Sequence, residues 1–198
     1  MAVAVMEKSE EQLRKEKGSR NMLLLGIFSM TMVFGGLTSA YVVRQKAGDW
    51  FSIELPPVFT ASTAVIILSS VSIILAGLFY KRGNSGLGTT LVGVTFLFGL
   101  AFTYFQFEGW GELVKNGIFL SPDSKQVSLI SGSFIYVLTG LHLVHLGGGL
   151  LVLLFTFIKG LLGKYSADNY HGVKLAGIYW HFLDALWIYL FLFLTIFK

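Results

Sequence analysis

The sequence predicts an all-α, polytopic membrane protein built as a bundle of five transmembrane helices. Three observations predict it. Of the 198 residues, 13% are charged and 54% are hydrophobic, against about 25% charged in an ordinary soluble domain. Mean hydropathy is +0.70, more apolar surface than a soluble core of this length can hide. Five apolar stretches are each long enough to cross a hydrocarbon core about 30 Å thick at about 1.5 Å per residue. The 23 glycines agree, because glycine is more frequent in membrane helices than in soluble ones. There is no cysteine, which removes disulfides, thiolate metal sites and iron–sulfur clusters. The formal charge of +4 is small, and nothing in the sequence calls for a nucleic-acid partner.

Residues 1–20 mix Lys8, Arg14, Lys15, Lys17 and Arg20 with Glu7, Glu10, Glu11 and Glu16. No apolar h-region follows, so this is not a signal peptide; it reads as a polar tail at the membrane surface. Residues 21–198 then read as one five-helix domain, with spans near 21–43, 58–80, 87–107, 128–158 and 174–197. The first span carries "GGLTSAY", in which Gly36 and Ala40 form a small-xxx-small docking face. Pro56 and Pro57 mark the entry to the second span, whose serines Ser62, Ser69, Ser70 and Ser72 are expected to bond their own helix carbonyls. "KRGNSG" at 81–86 is a tight polar turn, which makes spans two and three an antiparallel pair. Trp110, Trp50 and Tyr41 suit an interfacial aromatic belt. The fourth span is long enough to require tilt or extension beyond the bilayer.

Positive charge sets the expected orientation. The N-terminal tail, the 81–86 turn and the 159–174 connection carry ten Lys and Arg residues; the opposite side has Arg44, Lys46, Lys115, Lys125 and Lys198. This bias places the N-terminus in the cytoplasm and the C-terminus outside.

Ionisable groups at membrane depth are costly and draw attention. "YWHFLDALW" at 179–187 places His181 and Asp184 one turn apart, flanked by Tyr179, Trp180 and Trp187. The residues alone leave two readings: a proton relay or ligand site, and a buried polar link that holds helices in register. "TGLHLVHLGGG" at 139–149 places His142 and His145 one turn apart on the fourth span. Imidazoles bind haem and metals, yet two histidines on one helix cannot ligate opposite faces of one haem. His181 is the only other imidazole expected at membrane depth, so hydrogen-bonded packing histidines are the better expectation and no metal site is expected. Gly147, Gly148 and Gly149 offer a flat surface to a helix or an acyl chain, and Arg20, Lys81 and Arg82 offer charges to lipid phosphates.

Two of these motifs carry a family resemblance. "YWHFLDALWIYLF" resembles the last helix of cytochrome c oxidase subunit III, and "GSFIYVLTGLHLVHLGGG" resembles that family's histidine-bearing segment. The lead-in "KGSRNMLLLGIFSMTMVFGGLTSAY" is similar to the first helix shared by its members. The resemblance covers residues 17 to 197 and is closest to the short, five-helix form. Two departures stand out. Met30 aligns where the family carries a membrane glutamate, and Gln106 with Glu108 departs from its Q-x-x-E spacing.

The resemblance implies a non-catalytic subunit of a proton-pumping haem–copper terminal oxidase in a bacterial inner membrane. It would bind no cofactor itself, with haems and copper held by partner subunits I and II. It would bind phospholipids, expected in a cleft between the first two helices and the last three, and sustain proton uptake by subunit I. A place in a larger respiratory supercomplex is compatible with the sequence. His181 and Asp184 would then form a buried polar clasp. The alternatives are a small membrane haem-b protein and a proton-coupled transporter using Asp184.

Overall fold

The computed structural model describes residues 10–46, 50–120 and 130–197. Glu7, Lys8, Lys125, the first residues of the expected fourth span and Lys198 lie outside them. The described chain forms α1 (Glu10–Gln45), α2 (Val58–Lys81), α3 (Ser85–Lys115), α4 (Ile130–Leu161) and α5 (His171–Ile196). All five are long and apolar enough to cross a membrane. α1 begins well inside the polar tail and runs on unbroken, so at about 54 Å it exceeds the hydrocarbon core. α3 likewise continues past residue 107 to Lys115.

Three helices stop in the same way. Gly83, Gly117 and Gly163 have φ of 81°, 77° and 67°, a left-handed conformation that costs glycine least. The next amide then reaches back to close the helix: Asn84 to Phe79, Ile118 to Leu113 and Lys164 to Lys159, each N–H···O at 3.0 Å. Asn84 also caps α3, accepting from the Leu87 amide. The resulting turn is so short that α2 and α3 must run antiparallel, as the sequence predicts.

The buried positions follow a seven-residue rhythm. In α3 they include Val92, Thr95, Gly99, Phe102, Gln106 and Gly109. In α5 they include Ala176, Trp180, Leu183, Trp187, Leu190 and Leu194. Alternating steps of three and four are the signature of left-handed, coiled-coil-like packing. α2 through α5 close into a ring of antiparallel neighbours, α2 against α3, α3 against α4, α4 against α5 and α5 back against α2. α1 lies outside that ring and packs only on α4 and α5.

This arrangement corrects two expectations. Among the described residues no cleft separates the first two helices from the last three: α2 is an integral wall of the ring, held there by its short turn to α3, and α1 does not pack against it. The Gly36–Ala40 face of α1 points away from the bundle. Gly36 has nothing within 4 Å of a would-be Cβ, and α1 docks instead through Phe34, Thr38 and Tyr41.

Candidate functional site

Lipid tails are as apolar as leucine, so packing and interhelical hydrogen bonds hold membrane helices together. Here the bonds concentrate on α2, which meets both α5 and α3. Trp180 donates its indole N–H to Ser69 Oγ at 2.8 Å, and Trp187 donates to Thr63 Oγ1 at 2.9 Å. Beside the first of these, His181 Nδ1 lies 2.6 Å from Ser70 Oγ. Gln106 on α3 joins the same seam, donating to Ser62 Oγ at 3.1 Å. Ser62, Thr63 and Ser69 send their own protons to the carbonyls of Phe59 and Ile66, which leaves lone pairs for the incoming donors.

The expectation for the α2 serines therefore holds for Ser62 and Ser69 and fails for two others. Ser70 turns to His181, and Ser72 donates to the Leu91 carbonyl on α3 at 3.0 Å. In a close antiparallel packing the neighbouring helix offers partners as near as the serine's own.

The histidines and Asp184 do not act as pairs. His142 is fully buried between the rings of Phe102 and Trp187, and neither ring nitrogen has a hydrogen-bond partner among the described residues. The expectation of a hydrogen-bonded His142 is overturned. His145 leans toward α1, its Nδ1 2.7 Å from the Leu141 carbonyl and its ring against Phe34. Three residues along a helix leave about 60° between two side chains, enough to send one into the core and the other to its edge. The same offset separates His181, which is half-buried and engaged with Ser70, from Asp184, which is 3% exposed. Ser70 lies near enough to Asp184 to interact with it, but among the described residues no well-formed hydrogen bond reaches either carboxylate oxygen. The expected His181–Asp184 clasp is replaced by a His181–Ser70 bond.

The aromatic flank is more tightly organised. Tyr179 donates to the His145 carbonyl at 3.1 Å, tying α5 to α4. Trp187 also stacks on Phe59 and meets Phe102 edge-on. Tyr41, with Trp50, Phe134 and Phe193 around it, donates to the Phe197 carbonyl at 2.7 Å. Trp110 donates to Thr139 Oγ1 across the α3–α4 interface.

The three glycines divide among different surroundings. A Cβ on Gly149 would lie 2.9 Å from Leu183 and 3.2 Å from Trp180, so this glycine seats α5. Gly148 faces the Tyr179 hydroxyl at 3.7 Å, and Gly147 faces open space. Successive residues on a helix point about 100° apart and cannot form one flat face. Arg20, Lys81 and Arg82 are exposed, but Arg20 is on the peripheral α1, away from the other two. Gln106 is buried, while Glu108 is exposed and accepts from Tyr104. Met30 is half-buried on α1.

Residue-type reasoning passed over Thr63 and Gly99. Gly99 holds the deepest close approach: its would-be Cβ falls 2.6 Å from Trp180 Cη2 and 2.7 Å from Leu150 Cδ2. A usable signal was present in spacing. Ser62 and Ser69, Thr63 and Ser70, and Trp180 and Trp187 are each seven apart, a register that presents hydroxyls and indoles along one seam.

Among the described residues no group of three or more His, Cys, Asp or Glu side chains is placed to hold a metal. Nor do the three intramembrane imidazoles fit a haem. His142 faces aromatic rings, His145 its own helix and His181 a serine.

The family description "Cytochrome c oxidase subunit III" matches residues 8–198. The chain is 30% identical over 182 residues to cytochrome c oxidase subunit 3 of Synechocystis sp., covering 86% of this chain and 72% of that protein. It is 31% identical over 186 residues to the subunit of the same name from Thermostichus vulcanus, covering 88% and 85%. Cytochrome bo(3) ubiquinol oxidase subunit 3 of Pseudomonas aeruginosa is 33% identical over 159 residues, covering 78% and 72%. This multi-pass membrane chain belongs to the cytochrome c oxidase subunit III family.

Proposed function

We propose that the chain serves as a non-catalytic subunit of a proton-pumping terminal oxidase, assembled with the subunits that hold haem and copper. The observation that carries this reading is the α2–α5 seam. The polar side chains of this seam close helix to helix, and the imidazoles point into three separate environments instead of converging on a ligand. Such an interior suits a rigid support for a neighbouring subunit. In this reading the chain stabilises subunit I, sustains its proton uptake and binds structural phospholipids. It lies in a bacterial inner membrane with residues 1–20 cytoplasmic and the end of α5 outside, following the bias of positive charge. Its relatives are named for both cytochrome c and ubiquinol oxidases.

A reduced-minus-oxidised difference spectrum separates this role from that of a haem protein. The chain expressed alone and purified in mild detergent is expected to lack a stoichiometric haem band, while the assembled oxidase shows one. A stoichiometric band on the isolated chain would overturn the reading.

A further inference from the structure

The α3–α4 side of the ring is not flush. At the end nearest the 82–84 turn, a groove of about 630 Å³ opens between these helices, within the range of about 300–1,000 Å³ usual for ligand pockets. Gly86 leaves its mouth open, and Leu97, Leu154 and Leu161 make its walls apolar. From Ser85 to Leu97 it follows α3 for twelve residues, or about 18 Å. Half of a hydrocarbon core is about 15 Å. The groove thus starts at headgroup level and ends near the midplane, the reach of one acyl chain in one leaflet. A partner's transmembrane helix would call for a continuous furrow of about 30 Å. The second groove on this side, at the outer end by Trp110 and Gly140, shares no lining residue with the first.

The mouth has the opposite character. Ser85 and the exposed Thr90 bring hydroxyls to it. Lys81 and Arg82 immediately precede its α3 wall, and Lys164 follows its α4 wall; all three are exposed. None of the three forms an ion pair with a described residue. By contrast, Lys159 and Lys174 at the same end lie over the rings of Phe155 and Tyr170. An apolar slot one leaflet deep, with unneutralised cations on both sides of its mouth, matches a lipid whose headgroup is negative.

We propose that this groove binds an anionic phospholipid of the leaflet on the 82–84 side, one acyl chain lying between α3 and α4 and the phosphate held by Lys81, Arg82 and Lys164. The site is separate from the glycines at 147–149. It rests on the chain spanning a membrane, not on its assembly into an oxidase.

The test uses the full chain in bilayer nanodiscs. Phosphatidylglycerol and phosphatidylcholine probes, each with a photoactivatable diazirine midway along one acyl chain, are added in turn, and labelled peptides are mapped by mass spectrometry. Phosphatidylglycerol is expected to label the peptides holding Leu97 and Leu154 at least about fivefold more than phosphatidylcholine, the factor that one neutralised charge supplies. The double variant Lys81→Gln, Arg82→Gln should remove that preference while leaving chain-level labelling by both lipids.

Gly86→Leu should abolish labelling by both. A Cβ at Gly86 meets only Asn84 Oδ1, at 3.9 Å, so the larger side chain fills the groove without disturbing the fold, and an unchanged helical circular-dichroism spectrum checks this. Equal labelling by the two lipids, or labelling that survives Gly86→Leu, would overturn the proposal. Loss of labelling in the assembled oxidase, with a cysteine at Thr90 becoming protected, would show that a protein helix fills the groove and overturn it equally. Because no turnover is measured, the result is independent of the oxidase assignment.

Discussion

Replacing Gly99 by alanine adds one methyl group at a tight point deep in the bundle. That carbon would sit 2.6 Å from Trp180 Cη2 and 2.7 Å from Leu150 Cδ2, whereas carbon atoms rest about 3.5–4.0 Å apart. Leu150 can turn, but Trp180 cannot easily: it is fully buried and its indole N–H is fixed on Ser69. α3 must therefore back away from α5, an overpacking cost of about 1–3 kcal/mol. The same substitution gains up to about 1 kcal/mol from helix propensity. At Gly111, also in α3, nothing lies within 4 Å of the new carbon, and only the gain applies. The two variants should thus differ by about 1–3 kcal/mol, with Gly99→Ala the weaker. Gly149→Ala should fall between them, because its nearest atom is the flexible Leu183 Cδ1 at 2.9 Å. Unfolding by sodium dodecyl sulfate in mixed micelles, followed by tryptophan fluorescence and circular dichroism, measures the order. Equal stability of Gly99→Ala and Gly111→Ala would refute the packing argument.

Further expectations follow from the polar seam and the topology. Ser70→Ala removes the partner of His181 Nδ1 among the described residues and should cost about 1 kcal/mol in the same unfolding assay; no change would show that the bond contributes nothing. Asp184→Asn and Asp184→Leu should assemble to the same extent, because no well-formed hydrogen bond to the carboxylate is lost, and Asp184→Asn should start turnover almost as fast as the parent oxidase. Immediate loss of proton pumping in Asp184→Asn, with full subunit and lipid content, would show that the carboxylate does chemistry. Tyr41→Phe releases the end of α1 from the Phe197 carbonyl and should raise amide exchange in the last turns of α1 and α5 while sparing α3. In intact cells, an impermeant thiol reagent should reach a cysteine at Lys115 and miss one at Ser85, and the reverse would invert the orientation.

The number of helices, the antiparallel α2–α3 pair and the burial of Asp184 were legible in the sequence, because hydropathy, a Gly-bearing polar turn and the rarity of a membrane carboxylate each act locally. Helix ends were less so: α1 and α3 continue beyond their apolar stretches, since the charged residues of 10–20 and 108–115 are themselves good helix formers. Partners were the least legible. Whether Ser70 bonds its own carbonyl or His181 depends on the rotation of α5, which no residue of α2 encodes alone. A step of three residues does not decide which histidine enters the core, and His142 with His145 shows how far 60° separates two neighbours. The cleft expected between the first two helices and the last three assumed that α1 and α2 pack together, whereas the turn at 82–84 binds α2 to α3.

A chain that works inside an oxidase should leave the membrane with it. The decisive measurement is affinity purification of the tagged chain from its native membrane in mild detergent, with quantitative subunit mass spectrometry and haem determination. The expected result is a stoichiometric complex with the haem- and copper-bearing oxidase subunits, its haem assigned wholly to those partners. A chain recovered quantitatively alone, without oxidase subunits or their haem, would contradict it.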